Sequence, residues 1–405
     1  MIIRKLEPKE RYRAGLVQAV AFEGNFDLQK EREAAQTAEE PEDGSVCWGA
    51  LSEDEKEIYG CVGVSDYNVR FDGHTVKLGG VGGVSTLPAF RRGGTIRSCF
   101  QSALPEMKKT GQIFSFLYPF STAYYHKFGY EIGPVWHLWT LPIRDLRMPD
   151  AGGRVEQLLP GDDLSPLLEI YTKFSDSYNL SAQREVYDKS LVKDNLLDQQ
   201  RYIFVWRNEA GEPRAFLITH KDRSGGKPVL DCTNTFAMKN NFLFLDAQAF
   251  QGMLNFVQKA FASDYDSIRF TVPETLNLTS FLHEGNTAEC KRLYNGMLRV
   301  TDVQVALSLC LCKGSGELRI AVEDSMIPEN NAVWKLGFAP GAANRVEQTV
   351  EAPDLSMPIN EFSALICGTR DAGEIPWMSR VQLHHAAASV DSVFYRKKCI
   401  MQNLF

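Results

Sequence analysis

The stretch Gly82-Gly83-Val84-Ser85-Thr86-Leu87-Pro88-Ala89-Phe90-Arg91-Arg92-Gly93-Gly94-Thr95-Ile96-Arg97 constrains this chain more than any other. It reads as a strand that stops, a turn marked by Pro88, then two arginines and two glycines opening a helix. Chains build pockets for a pyrophosphate in this way. Backbone N–H groups at a helix N-terminus point at the anion, and the helix dipole favours negative charge there. Glycine lets the backbone approach closely, and arginine adds charge-assisted hydrogen bonds. A surface turn with solvated arginines has the same local appearance, so the surroundings must decide. No Gly-Lys-Ser/Thr follows, against a nucleotide P-loop, and no Gly-x-Gly-x-x-Gly, against a dinucleotide fingerprint.

With 405 residues the chain exceeds one ordinary core, and its 44% hydrophobic and 23% charged residues suit a soluble globular protein of several domains. A net charge of −7 without a Lys/Arg run argues against nucleic-acid binding. The nine cysteines are odd in number and sit mostly in apolar contexts, as buried reduced thiols would. Cys310 and Cys312 are one residue apart on an expected strand, a spacing wrong for a zinc knuckle. His384-His385 is read as structural, since adjacent residues share no face and no further ligand accompanies them; no metal site is expected. The N-terminus is too short and charged for a signal peptide, and no apolar run approaches the ~20 residues of a membrane span. The expected location is cytoplasmic.

Periodicity predicts a strand over 2–6, a helix over 8–22, a polar helix and loop over 28–43, and a hairpin of 46–51 with 58–64. A long strand over 76–86 leads into the turn, a helix over 95–109 follows, then a strand over 113–118 and a short helix over 123–128 ended by Gly129. A strand over 135–140 closes this unit. The pattern then repeats. A hairpin of 202–206 with 215–219 copies the earlier one, and Trp48 and Trp206 lie 158 positions apart. The same offset carries Pro88 onto Asp246, where a strand (242–245) gives way to a helix (247–261), and carries Arg91-Arg92-Gly93-Gly94 onto Ala249-Phe250-Gln251-Gly252. Either the unit is duplicated without its arginines, or two unrelated α/β units adjoin. Beyond about residue 294 the texture becomes α+β: a helix running into a strand over 303–312, strands over 317–322 and 332–338, a helix over 359–367, and a helical or mixed segment over 377–388.

The run Val84-Ser85-Thr86-x-Pro88, then Arg91-x-x-Gly94-x-Ile96, resembles the acetyl-CoA signature of GNAT acetyltransferases. The layout of the whole chain resembles the Eis-like (enhanced intracellular survival) subgroup. The resemblance implies an α/β (α+β) fold of two tandem GNAT-type domains, the second degenerate, with a C-terminal sterol-carrier-protein-like α+β domain: residues 1–145, 146–294 and 295–405. Ile96 departs from the usual Gly or Ala of the GNAT signature, a position where Eis-like proteins tolerate a larger apolar residue.

The resemblance further implies that main-chain groups of Val84, Ser85 and Thr86 hold the pantetheine arm. Arg91, Arg92, Gly93, Gly94, Thr95, Ile96 and Arg97 surround the pyrophosphate, and Phe120 and Ser121 make a further acetyl-CoA contact. A neutral amine attacks the thioester and a thiolate departs. Tyr125 matches the family's general acid, and a phenol of reference pKa ~10 is still protonated at neutral pH. Adjacent Tyr124 points about 100° away on a helix, so only one of the two faces the thioester; aromatic packing is the competing role for both. The implied base is the terminal α-carboxylate, here that of Phe405, although Gln402 and Asn403 replace the acidic residue often found near that end. Glu23 and Asp27 occupy a loop that shapes acceptor pockets in GNAT proteins. His126 is read as surface rather than base. The implied activity is acetyl transfer to primary amines of a small polycationic, aminoglycoside-like acceptor, by a homohexamer without nucleic acid, membrane span or metal. The alternative is a non-catalytic CoA- or lipid-binding regulatory module.

Overall fold

An Asp-Gly pair reverses the longest hairpin of the molecule. In the computed structural model, which describes residues 1–41, 44–184, 201–223, 225–233, 241–294, 296–385 and 389–403, β1 (Ile2–Lys5) is followed by α1 (Arg11–Ala21), α2 (Leu28–Ala35), β2 (Val46–Leu51), β3 (Ile58–Phe71) and β4 (His74–Thr86). Asp72 and Gly73 join β3 to β4 with φ of 46° and 90°. A two-residue hairpin turn demands this left-handed conformation, and Asp-Gly supplies it at low cost. β3 therefore runs seven residues past the expected 58–64, while β4 begins two residues before the expected 76–86. Next come α3 (Thr95–Lys109), β5 (Gln112–Leu117), α4 (Thr122–His126) and β6 (Glu131–Ile132). α3 buries Ile96, Cys99, Phe100, Ala103, Leu104 and Met107, one helical stripe, in a core shared with Val62, Val64 and Val81.

The chain continues through β7 (Trp136–Pro142), β8 (Arg154–Leu158), α5 (Ser165–Ser175), β9 (Arg201–Arg207), β10 (Pro213–Asp222), β11 (Val229–Asp231), β12 (Phe242–Phe244), α6 (Ala247–Phe261), β13 (Ser267–Pro273) and β14 (Glu289–Leu293). Here one expectation fails. The strand near 135–140 does not close the first sheet. As β7 it pairs antiparallel with β13 from Ser267↔Pro142 to Pro273↔Trp136, and with β14 on its other side. The matching place in the first sheet, between β5 and β6, is taken by β15 (Met297–Val300). Each sheet is thus completed by a strand from a distant stretch of sequence. Alternation marks a strand but carries no information about its neighbour.

The first sheet has the order β1-β2-β3-β4-β5-β15-β6, and the second reads β8-β9-β10-β11-β13-β7-β14 with β12 also on β10. The parallel pair β4–β5 has its counterpart in β11–β13. The unit is duplicated. The 158-residue offset nevertheless breaks at the turn. Residues 249–252 lie inside α6, not at its start. Residues 87–94 separate β4 from α3, whereas only 245 and 246 separate β12 from α6. The second copy has lost most of the turn as well as its arginines.

Beyond β15 come α7 (Val303–Leu309), β16 (Gly316–Glu323), β17 (Ala332–Phe338), β18 (Arg345–Thr349), β19 (Leu355–Pro358), α8 (Ile359–Ile366), β20 (Gln382–Leu383) and α9 (Ser389–Val393), with sheet order β18-β17-β16-β19-β20. Residues 310–312 after α7 do not form the expected strand. Cys310 caps its end, and Cys310 Sγ lies 3.7 Å from Cys312 Sγ. The segment near 377–388 is not a helix: a 3-10 turn ends at Trp377 and β20 follows, with 386–388 outside the described residues. His384 Nε2 shares a 2.7 Å hydrogen bond with Ser356 Oγ. Two compact regions result. One comprises described residues within 1–133 and 296–397, the other those within 134–295 and 398–404. Among the described residues no helix is long and apolar enough to cross a membrane.

Candidate active site

β4 outlasts its neighbour. Parallel pairing with β5 runs from Lys77↔Gln112 to Val81↔Leu117, and β4 continues to Thr86 against β3 alone. Residues 82–86 therefore have an edge without a strand beside it, where main-chain N–H and C=O groups can take an extended ligand as an added strand. The stretch is bulged. Gly82 pairs with Gly63 and Ser85 with Cys61, so Gly83 and Val84 oppose Val62 alone. Gly83 has φ 59°, a conformation glycine adopts without strain, and a Cβ there would displace the Gln18 amide. Ser85 is buried; its hydroxyl donates to Gly83 O (3.1 Å) and lies 3.2 Å from Cys61 Sγ. Its side chain is committed inward, and the open edge of Val84, Ser85 and Thr86 offers backbone.

The turn is held by Phe90 N donating to Leu87 O (2.9 Å), by Arg91 N donating to Pro88 O (3.3 Å), and by Phe90 stacked on Tyr59 at 3.9 Å. Arg92 adopts φ 65° and Gly94 φ 82°. A left-handed arginine costs about 1–2 kcal/mol and holds only where its surroundings impose it. Gly94 is the N-cap of α3 and brings no side chain to the first-turn N–H groups, those of Thr95, Ile96 and Arg97. Gly93, Gly94, Arg91 and Arg92 are exposed, and neither arginine has a hydrogen-bonding or carboxylate partner among the described residues. Arg97 lies over the Phe128 ring at 5.6 Å and likewise has no carboxylate partner. Three guanidinium groups without counter-ions thus surround an uncapped helix start. Ile96 points into the core, which is why its bulk does not obstruct the turn.

Tyr125 sits on α4, whose N-cap is Ser121. The Ser121 hydroxyl accepts from Tyr124 N at 3.3 Å, so the side chain expected at acetyl-CoA serves the helix. Phe120 is 76% exposed and meets the Tyr125 ring edge-on at 5.5 Å. Tyr125 is 3% exposed and Tyr124 half-buried; their rings stand at 89°. Burial, reinforced by neighbouring Tyr124, pushes the Tyr125 phenol well above its ordinary range. The phenol remains a proton donor at any physiological pH, and its hydroxyl has no hydrogen-bond partner among the described residues. Tyr130, pushed up to about 12 by burial, is by contrast tied to Ser115 Oγ at 2.7 Å.

The segment carrying Tyr125 is braced by residues that sequence reading missed. Arg299, fully buried, donates to Phe128 O and makes a bidentate pair with Asp324. Gly129 has φ 82°, and a Cβ there would strike Arg299. Asn360 Nδ2 donates to His126 O (3.0 Å) and Tyr130 O (2.9 Å). Buried Glu131 takes His126 at 3.2 Å, Arg380 at 3.3 Å and Arg370 at 3.9 Å. His126 is therefore half-buried and engaged rather than a plain surface residue. Apart from Gly129, no local signal points to this brace, because Arg299, Asn360, Arg370 and Arg380 lie more than 160 positions downstream.

Asp27 is the exposed N-cap of α2, accepting from Lys30 N at 3.1 Å. Glu23 is exposed with φ 55° just past α1. Phe405 lies outside the described residues. Gln402 is buried, and neither its amide oxygen nor its amide nitrogen has a hydrogen-bond partner among the described residues.

Residues 3–133 match the acetyltransferase (GNAT) domain family and residues 303–402 the sterol carrier protein domain family. No curated protein matches by sequence. Among solved structures, a probable N-acyltransferase from Enterococcus faecalis V583 is similar with a TM-score of 0.84 at 18% identity, over 100% of this chain and 99% of that one. A GCN5-related N-acetyltransferase from Anabaena variabilis gives 0.81 at 17% identity, over 98% of each chain. Eis1 from Mycobacterium abscessus gives 0.79 at 18% identity, over 99% of each. At such identities the likeness is one of fold. The chain is an enzyme with a GNAT acetyltransferase domain at its N-terminal end and a sterol-carrier-type domain at the other.

Proposed function

We propose that this enzyme transfers the acetyl group of acetyl-CoA directly to primary amines of a small polycationic acceptor, aminoglycoside-like in character, as the Eis-like resemblance implies. The observation that carries the reading is the pairing of an arginine turn that lacks counter-ions with a buried, protonated, unpartnered phenol on the next strand-to-helix connection. Residues 91–97 would take the pyrophosphate and the edge of residues 84–86 the pantetheine arm. The amine attacks the thioester carbonyl, the tetrahedral intermediate collapses, and Tyr125 gives its proton to the departing sulfur. The amine, of reference pKa near ~10, must first lose a proton; the α-carboxylate of Phe405 is the base we assign. The protein would act in the cytoplasm as a homohexamer.

The test is acetyl-CoA turnover against an aminoglycoside panel with the native chain, with Tyr125→Phe, and with a chain extended beyond Phe405. Acetylation by the native chain and its loss in both variants is the expected result. Full activity in the extended chain removes Phe405 as the base, an unchanged rate in Tyr125→Phe reduces Tyr125 to packing, and no turnover on any amine overturns the acceptor class.

A further inference from the structure

The second region keeps a cleft where its fold repeats the first, but with different furnishing. Between the start of α6 and the chain leaving β13 lies a cavity of about 380 Å³, at the small end of the ~300–1,000 Å³ typical of small-molecule sites. Apolar side chains make up one part of its wall, Phe174, Phe244, Phe250, Leu276 and Phe281, and polar ones the rest. The Phe244 and Phe250 rings pack at 4.8 Å and Phe250 and Phe281 at 6.3 Å, so this surface is preformed.

The polar groups of the cavity have distinct states. Asp246 caps α6, accepting from Ala249 N at 2.8 Å, and is paired with Arg214, whose Nε lies 3.0 Å from Oδ2. The helix start that would receive a pyrophosphate is filled by the protein's own carboxylate, and a multiply charged phosphate would meet it head-on. Two lysines remain at the mouth. Lys173 leans on exposed Glu169 of its own helix at 2.6 Å. Lys398 is exposed, and its ammonium has no hydrogen-bond or ion-pair partner among the described residues. Its backbone is nonetheless fixed, because Lys398 O accepts from Asn179 N at 2.7 Å beside the bridge Asn179↔Cys399. With Asp246 paired to Arg214 and Lys173 to Glu169, the mouth has one cation to spare among the described residues, Lys398, above an aromatic and aliphatic pocket.

We infer that this cavity is a binding site for a singly charged amphiphile, a medium-chain carboxylate whose chain lies against Phe244, Phe250 and Phe281 and whose head group meets Lys398 and Lys173. A neutral chain lacks the head group for the lysines, and the first-turn N–H of α6 that a nucleotide or CoA phosphate would need is already taken by Asp246. The inference stands on these residues alone and does not depend on the acetyl-transfer reading.

Isothermal titration of the full chain with decanoate, at saturating acetyl-CoA, tests it. One saturable site below about 1 mM is expected, and decanol should bind about tenfold more weakly, the worth of hydrogen bonds to a charged group. Lys398→Gln, at an exposed position that tolerates change, should weaken decanoate about tenfold and leave decanol unmoved. Phe281→Ala should weaken both. Absence of saturable binding, equal affinity for decanoate and decanol, an unchanged affinity in Lys398→Gln, or displacement of decanoate by acetyl-CoA would each overturn the assignment.

Discussion

Two helices begin at the same place in a duplicated fold, and they begin differently. α3 is capped by Gly94 after a turn spanning 87–94, with arginines that have no counter-ion among the described residues. α6 starts at Asp246 after two residues, and that carboxylate supplies both the cap and the charge. On the connection after the following strand, the first copy presents Tyr125 and the second a 3-10 turn ending in Phe281. The difference teaches how a binding module is retired without unfolding. The helix N-terminus retains its need for negative charge, so a side chain that meets the need from within stabilises the fold and excludes the ligand in one change.

Making the first copy resemble the second should abolish its chemistry in steps. The largest effect is expected from Tyr125→Phe, which gives it the second copy's aromatic type. kcat should fall by ~10²–10⁴, the usual range for loss of a positioned acid, with acetyl-CoA affinity unchanged by titration calorimetry. In the native enzyme kcat/KM should rise with pH as the amine deprotonates, and should not turn down below pH ~10. A phenol whose pKa is raised is still protonated there; a downturn near neutrality would remove it as the acid.

Breaking the brace comes next. Arg299→Met leaves Asp324 charged and buried without its partner, a loss of about 3–5 kcal/mol in unfolding free energy. Arg299→Met with Asp324→Asn should recover part of it, as read by urea denaturation. Gly94→Asp should then weaken acetyl-CoA by ~100-fold or about 3 kcal/mol, through charge at the helix start. Gly94→Asn shares the shape and tolerates φ 82°, so it should lose far less; equal losses would show backbone strain to be the cause. The smallest change belongs to the second copy. Asp246→Ala removes a cap at a cost of about 0.5–2 kcal/mol, and it should not create acetyl-CoA binding, because the turn that would carry arginines is not there.

The turn itself was legible in the sequence, since glycine, arginine and proline each act there through their own backbone or charge. So was the α3 stripe, which alternates at helical spacing. The duplication was visible in Trp48 and Trp206, but a constant offset presumes equal loop lengths, and the shortened second turn defeated it. Asp72-Gly73 marked a hairpin whose full length was overlooked. The exchange of β7 and β15 and the contacts of Arg299 and Asn360 with the Tyr125 segment were not readable, because pairings between distant stretches leave no local pattern. Asp324 and Glu131 look like any acidic residues until burial gives them partners.

The exchanged strand sets a timetable for synthesis. β6 is translated by residue 132, but the strand that must lie between it and β5 begins only at Met297. At ~5–20 residues per second that interval is roughly ten to thirty seconds. Throughout it the edge of β5 stands unpaired, and the N-terminal acetyltransferase sheet waits for more than half of the remaining chain before it can close.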